Sequence, residues 1–171
     1  LACAEIGVNE NQFFEAIASF KGASKRLEIV TQNDSTVVYK DFAHSPSKLK
    51  ATTAAVKKQF PNRKLIACME LHTFSSLNEE FLQHYSGAMK EADQAIVYFN
   101  PHTIAHKKLK PISKEQVLAA FGGENLTVYT DATALVSDLK KIDWNNKNLL
   151  MMSSGNFDGI DFKQLGDQLI A

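Results

Sequence analysis

An aspartate and a histidine close an apolar segment in "VYKDFAHSPSKLKATTAAVKK", Val38 to Lys58, just before a turn at Ser45-Pro46 and a helical pattern. Asp41 is an acceptor-only carboxylate and His44 a titratable imidazole. Open α/β sheets hold their ligands at the carboxyl ends of strands, and a helix N-terminus favours negative charge. The plain alternative is that both side chains cap the helix or satisfy backbone groups. Three further stretches have comparable chemistry. His72 follows the apolar run "KLIACMEL", and His102 and His106 follow "QAIVYF". Ser153-Ser154-Gly155-Asn156 follows "NLLMM", where a glycine among small polar residues suits either an ordinary turn or a backbone nest for an anion or carboxylate. "HKKLKP", His106 to Pro111, reads as a solvated face before it reads as a phosphate patch, and Cys68, inside its apolar run, reads as core.

Positioning such groups requires a regular scaffold, and the pattern supplies one. "KRLEIV" and "STVVYKDF" flank the turn Gln32-Asn33-Asp34, which predicts a hairpin. Pro46 opens a helix in which Leu49, Thr53, Val56 and Phe60 recur at helical spacing until Pro61. "KLIACMEL" is the continuous apolar run of a parallel strand buried on both faces. A helix from Asn78 to Lys90 is predicted next, then "QAIVYF", a helix from Ser113 to Phe121, "LTVY", a helix from Asp131 to Lys140, "NLLMMSS" and a last helix through Phe162 to Ile170. Strands alternating with helices imply an α/β fold, Rossmann-like and doubly wound, with a mostly parallel sheet and an antiparallel N-terminal hairpin strand. The loops after four strands, residues 41–47, 71–77, 100–112 and 153–158, then share one edge.

Composition narrows the class of molecule. At 171 residues, 44% hydrophobic and 22% charged, the chain suits one globular domain with its own core. Lys+Arg and Asp+Glu are equal at 19 each, which gives no basic excess for nucleic acid. Its two cysteines, Cys3 and Cys68, have no metal spacing and fit a reduced compartment. No apolar run reaches the ~18 residues of a membrane span. A cytoplasmic protein with no membrane partner is expected. Neither a Gly-x-Gly-x-x-Gly fingerprint nor a Gly-x4-Gly-Lys-Ser/Thr loop is present in this sequence. "LACAEIGVNENQFFEAIASFKG" reads as the end of one helix and then a second, capped by Asn9 or Asn11 and ending before Gly22.

Three motifs in order resemble the C-terminal domain of Mur ligases. "FKGASKRLEIV" resembles the Gly-x-x-x-Arg-x-Glu segment that opens that domain, and "VYKDFAHSPSKLKAT" its Asp-Tyr-Ala-His-x-Pro segment. "LLMMSSGNFDGID" resembles the Ser-x-Gly-x-Phe-x-Gly-Ile ending of the muropeptide ligase branch, which joins a recycled peptide to UDP-N-acetylmuramate. The resemblance implies that residues 1–22 are terminal helices of a preceding ATP-binding domain and residues 23–171 the Rossmann-like third domain. It implies an ATP-dependent ligase of peptidoglycan synthesis or recycling, with ATP and Mg²⁺, the metal being held mainly by the preceding domain. A UDP-sugar and an amino acid or peptide would be its substrates, and its own N-terminal and central domains its partners.

By the same match, Arg26 and His44 would serve catalysis, Arg26 gripping the ATP phosphates, and Arg26, Asp41 and His44 would contact the nucleotide, Asp41 through the ribose hydroxyls. His72, Ser75, Ser154 and Asn156 would line the acceptor pocket. Two departures stand out: "MELHTFSSLNEEF" has no arginine near His72, and Ser45 stands where many relatives carry His or Thr. On this reading Asp41→Asn keeps the fold. A non-catalytic nucleotide-binding module of the same fold is the competing reading.

Overall fold

The computed structural model describes residues 2–19 and 26–171. A six-stranded sheet in the order β1-β2-β6-β3-β4-β5 organises the domain. Its strands are β1 (Glu28–Gln32), β2 (Val37–Asp41), β3 (Lys64–Glu70), β4 (Gln94–Tyr98), β5 (Leu126–Tyr129) and β6 (Lys147–Met152). β1 pairs antiparallel with β2, and every other pairing is parallel. The predicted architecture therefore holds. The hairpin turn is tied by Asn33, whose Oδ1 accepts from the N–H groups of Ser35 and Thr36 at 3.0 and 2.8 Å.

Helices cover both faces, as strands buried on two sides demand. Alternate residues of β3 show why the run is uniformly apolar. Leu65, Ala67 and Met69 join one core with Leu49 and Val56 of α3 (Pro46–Gln59) and with Val117 and Phe121 of α6 (Lys114–Phe121). Ile66 and Cys68 join the other, with Leu135 and Leu139 of α7 (Ala132–Leu139) and Leu165 and Leu169 of α8 (Phe162–Leu169). Cys68 is core, as predicted, and burial pushes its thiol pKa up. Ahead of the sheet, α1 (Ala2–Glu5) is followed by α2 (Glu10–Ala18), and Asn9, not Asn11, caps it in a reciprocal box with Gln12.

Two elements differ from the sequence reading. The segment 78–90 is no continuous helix: α4 spans only Glu79–Leu82, a single 3₁₀ turn covers Gln83–Tyr85, and Gly87 leaves at φ 65°. Tyr85 explains the break. Its ring turns inward to stack on Phe121 at 4.8 Å, and its hydroxyl donates to the His44 carbonyl at 2.6 Å. The second difference is in residues 100–112, where a short helix, α5 (Pro101–His106), starts at an Asn100 cap with proline at its first position.

Candidate functional site

Parallel pairing brings the carboxyl ends of β2, β6, β3 and β4 to one edge, with Asp41 level with Met152, Met69 level with Met152, and Glu70 level with Tyr98. Asp41, His44, His72, Ser154 and Asn156 therefore share that edge despite their separation in sequence. Their neighbourhood is continuous. Ser153 N–H donates to the Asp41 carbonyl at 3.0 Å, joining the β2 and β6 loops.

Asp41 sits at the rim of two clefts. One, of about 250 Å³, is lined by Arg26, Asp41, Phe42, Ala43, Lys48, Ala51 and Thr52. Its floor is the first turns of α3, where the N-cap Ser45 makes no side-chain capping bond. Two cations and uncapped backbone N–H groups make this cleft suited to an anionic ligand. The other, of about 240 Å³, is lined by Lys40, Asp41, Phe42, Met151, residues 153–156 and Phe162. Half-exposed Phe42 lines both.

The Asp41 carboxylate is already engaged by the backbone. Oδ2 accepts from Leu27 N–H and Oδ1 from Ala43 N–H, each at 2.6 Å. It holds the hairpin and the turn into α3 together by satisfying backbone groups, and it does not cap α3, whose N-cap is Ser45. A carboxylate has about four lone-pair sites, so two remain for a ligand. The isostere argument changes, however: an asparagine would oppose one of the two N–H groups with its own NH₂. His44 donates from Nδ1 to the Phe42 carbonyl at 2.8 Å and lies edge-on to the Phe42 ring at 5.0 Å. Nδ1 must carry the proton, because a carbonyl only accepts. Nε2 is then left as an acceptor while the ring is neutral. Arg26 is exposed beside the anion-suited cleft, while residues 20–25 of the motif that contains it, and the 22/23 domain boundary, lie outside the described residues.

The acceptor candidates divide. Ser154 and Asn156 line the second cleft. The Ser154 hydroxyl is buried without a partner among the described residues, while Asn156 also organises its own turn, its Oδ1 accepting from Gly159 N–H at 3.2 Å. His72 is half-buried in the next loop. Ser75 is exposed, with its hydroxyl 3.2 Å from that of Thr73, and the serine that organises this loop is the buried Ser76, to which Thr73 Oγ1 donates at 2.9 Å. In the "HKKLKP" stretch, Lys107 Nζ lies 4.4 Å over the Phe74 ring. That contact ties α5 to the β3 loop.

Sequence reasoning missed two side chains of this edge. Glu70, 3% exposed, receives Ser153, Phe157 and His72. A charged residue ending an otherwise apolar strand was the available signal. Tyr85, its hydroxyl pKa pushed up to about 12 by burial, fixes the His44 backbone and had no local signal, since its partner is 41 positions away. Among the described residues no group of three or more His, Cys, Asp or Glu gathers as a metal ion would need. No helix there is long and apolar enough to cross a membrane.

Comparison with known proteins gives the family and the fold. Residues 25–155 match the family model described as Mur ligase, glutamate ligase domain. A UDP-N-acetylmuramate–L-alanine ligase of Sulfurihydrogenibium is 30% identical over 86% of the chain, which spans 31% of that relative. One from Caldicellulosiruptor bescii is 37% identical over 54% of the chain, which spans 20% of it. Among solved structures, a domain named for a UDP-N-acetylmuramate:L-alanyl-gamma-D-glutamyl-diaminopimelate ligase of Haemophilus ducreyi superposes with TM-score 0.57 at 25% identity, covering 84% of this chain and 99% of that one. The UDP-N-acetylmuramate-alanine ligase of Thermotoga maritima, with TM-score 0.64 at 16% identity over 99% of this chain and 34% of that one, shares the fold.

Proposed function

We propose, for a chain that belongs to the Mur ligase, glutamate ligase domain family, that it is the nucleotide- and acceptor-contacting domain of an ATP-dependent ligase acting on UDP-N-acetylmuramate, with residues 1–22 closing the preceding domain. The observation that carries this reading is the cleft where Arg26, Lys48 and Asp41 meet the N-terminus of α3. Forming an amide from a carboxylate and ATP needs cations on the transferring phosphoryl group and a held amine. Arg26, with a fixed, always charged fork, is suited to the phosphates, and the free lone pairs of Asp41 to the ribose hydroxyls. His44 Nε2 is left available to the same nucleotide. Ser154, Asn156 and His72, along the neighbouring strand ends, are suited to the acceptor.

The acceptor's reacting amine belongs to an L-alanine residue in both ligase activities named among the relatives. Of the two, a peptide acceptor fits this edge better. Free alanine carries a carboxylate two bonds from its amine, which calls for a fixed cation close to the reaction. A peptide presents an amide there, which neutral donors satisfy. Around His72 the loop offers Thr73, Ser75 and Ser76 and no arginine. The test is ligation by the full-length enzyme, given UDP-N-acetylmuramate, ATP and Mg²⁺, with L-alanine and L-alanyl-γ-D-glutamyl-meso-diaminopimelate in competition. Tripeptide product should dominate. Alanine product alone would reverse the acceptor assignment, and no ligation with either would overturn the reading. In the same enzyme Arg26→Ala should lower turnover by about a hundredfold, more than it raises the KM for ATP.

A further inference from the structure

Glu70 ends β3 with its side chain only 4% exposed. A carboxylate withdrawn from water is costly unless donors meet it, and two do, with an imidazole facing its other oxygen. Oε2 accepts the Ser153 hydroxyl, and also the Phe157 N–H at 2.9 Å, while Oε1 faces His72 Nδ1 at 3.5 Å. Ser153 Oγ in turn accepts the Gly155 N–H at 2.6 Å. The loop is drawn so tightly onto this carboxylate that a Cβ on Gly155 would lie 2.7 Å from Oε2 and 2.8 Å from the His72 ring.

What Glu70 grips is strained. Phe157, Asp158 and Gly159 follow one another at φ 50°, 62° and 87°, a left-handed run that a bulky aromatic rarely enters. The Phe157 ring is fully buried, stacked on Tyr98 and edge-on to Phe162, each at 5.9 Å, and its N–H is the one bound to Glu70. Strain of this kind persists where surroundings over-determine it, and it gathers where a loop must present groups in one geometry. Ser154 and Asn156 lie inside the gripped segment, and His72 lies on the other side of the same carboxylate.

We infer that Glu70 is a positioning residue for the acceptor: one buried carboxylate locks the loop after β6 to the loop after β3, so that Ser154, Asn156 and His72 form a single surface for the incoming amine. The inference rests on the functional reading above. It assigns Glu70 no contact with substrate. Its effect is carried by the side chains it holds, and it should leave the nucleotide side, built around Arg26 and Asp41, unchanged.

Glu70→Gln and Glu70→Ala in the full-length ligase test this. Glutamine still accepts the Phe157 N–H but loses the charge facing His72, and alanine loses both. The KM for the acceptor that the wild-type enzyme uses should rise about tenfold in the glutamine variant and about a hundredfold in the alanine variant. The KM for ATP should stay within about twofold in both. Hydrogen exchange at the Phe157 amide should quicken in the alanine variant. If that variant does not fold, the glutamine variant alone decides. An unchanged acceptor KM would overturn the role, as would acceptor and ATP constants rising together with a fallen Tm, the pattern of a merely structural residue. A wild-type enzyme without ligation activity would remove the functional reading and this role with it, and that failure is visible before any variant is made.

Discussion

Asp41 belongs at once to the scaffold and to the proposed site, and its two 2.6 Å bonds to Leu27 and Ala43 N–H make the two roles separable. Replacing it by asparagine leaves one part-buried N–H facing an NH₂, a loss of about 1–3 kcal/mol. For a domain of this size that corresponds to a fall in Tm of about 2–10 °C, measurable by thermal denaturation of the chain. An unchanged Tm would show that the turn tolerates the exchange and that the carboxylate is held for ligand alone. The position of Asp41 was legible in sequence because a carboxylate followed a β-branched run and preceded a Pro-started helix. Its backbone partners were not, since Leu27 lies 14 residues away across a hairpin. Glu70 escaped notice for a related reason: its meaning depends on Ser153 and Phe157, more than 80 positions later.

At the scale of elements, strands were read with good boundaries where burial on two faces forces an uninterrupted apolar run, as in β3 and β6. Helices followed where caps were local, as with Asn9, Ser113, Asp131 and Asp161. The failure at 78–90 came from Tyr85 and Gly87, where a tertiary contact and a left-handed glycine outweighed helix propensity. Gly166, inside α8, makes the same competition testable. An alanine there should gain about 1 kcal/mol of helix propensity, but its Cβ would lie 2.7 Å from the Thr31 methyl carbon on β1. A β-branched neighbour on a strand yields little, so Gly166→Ala should lower stability. Thr31→Ser, which keeps the hydroxyl and removes the methyl, should rescue it. Chemical denaturation of both singles and the double variant measures this coupling, and simple additivity would refute the clash.

Opposite the proposed site, at the amino ends of the strands, Asp93 joins α3 to β3 and β4. It accepts Lys57 Nζ and the Leu65 N–H, each at 2.7 Å. Burial works against its charge, yet these bonds and the Lys57 ammonium outweigh it and hold its carboxyl below the usual range. A group whose folded pKa is depressed contributes stability above its unfolded pKa, about 3.9, and loses it as pH falls through the folded value. The stability difference between the wild type and Asp93→Asn should therefore be full at pH 7 and shrink to nothing in acid. Denaturation midpoints taken from neutral pH down to about pH 2 would show the decline, and a difference that does not shrink at all over that range would mean that hydrogen-bond geometry, not charge, is what Asp93 supplies.

As a whole molecule the chain spans about a third or less of the curated relatives it matches. It has a cleft lined by two cations, proposed above for phosphate, and a polar edge, proposed above for the acceptor. It has no Gly-x4-Gly-Lys-Ser/Thr loop, and among the described residues no acidic or histidine cluster for a metal. Binding surfaces without the groups that cradle and neutralise a transferring phosphoryl group lower no barrier to its transfer. The 171-residue chain by itself should therefore release no phosphate from ATP and form no amide when given UDP-N-acetylmuramate, Mg²⁺ and either acceptor. Appending the rest of the ligase should restore both. The measurement is phosphate release and product formation, chain against full-length enzyme, at equal concentration. Turnover by the chain alone would mean that phosphoryl transfer is carried out at the Arg26–Lys48 cleft itself, and the division of labour argued from that cleft would fall.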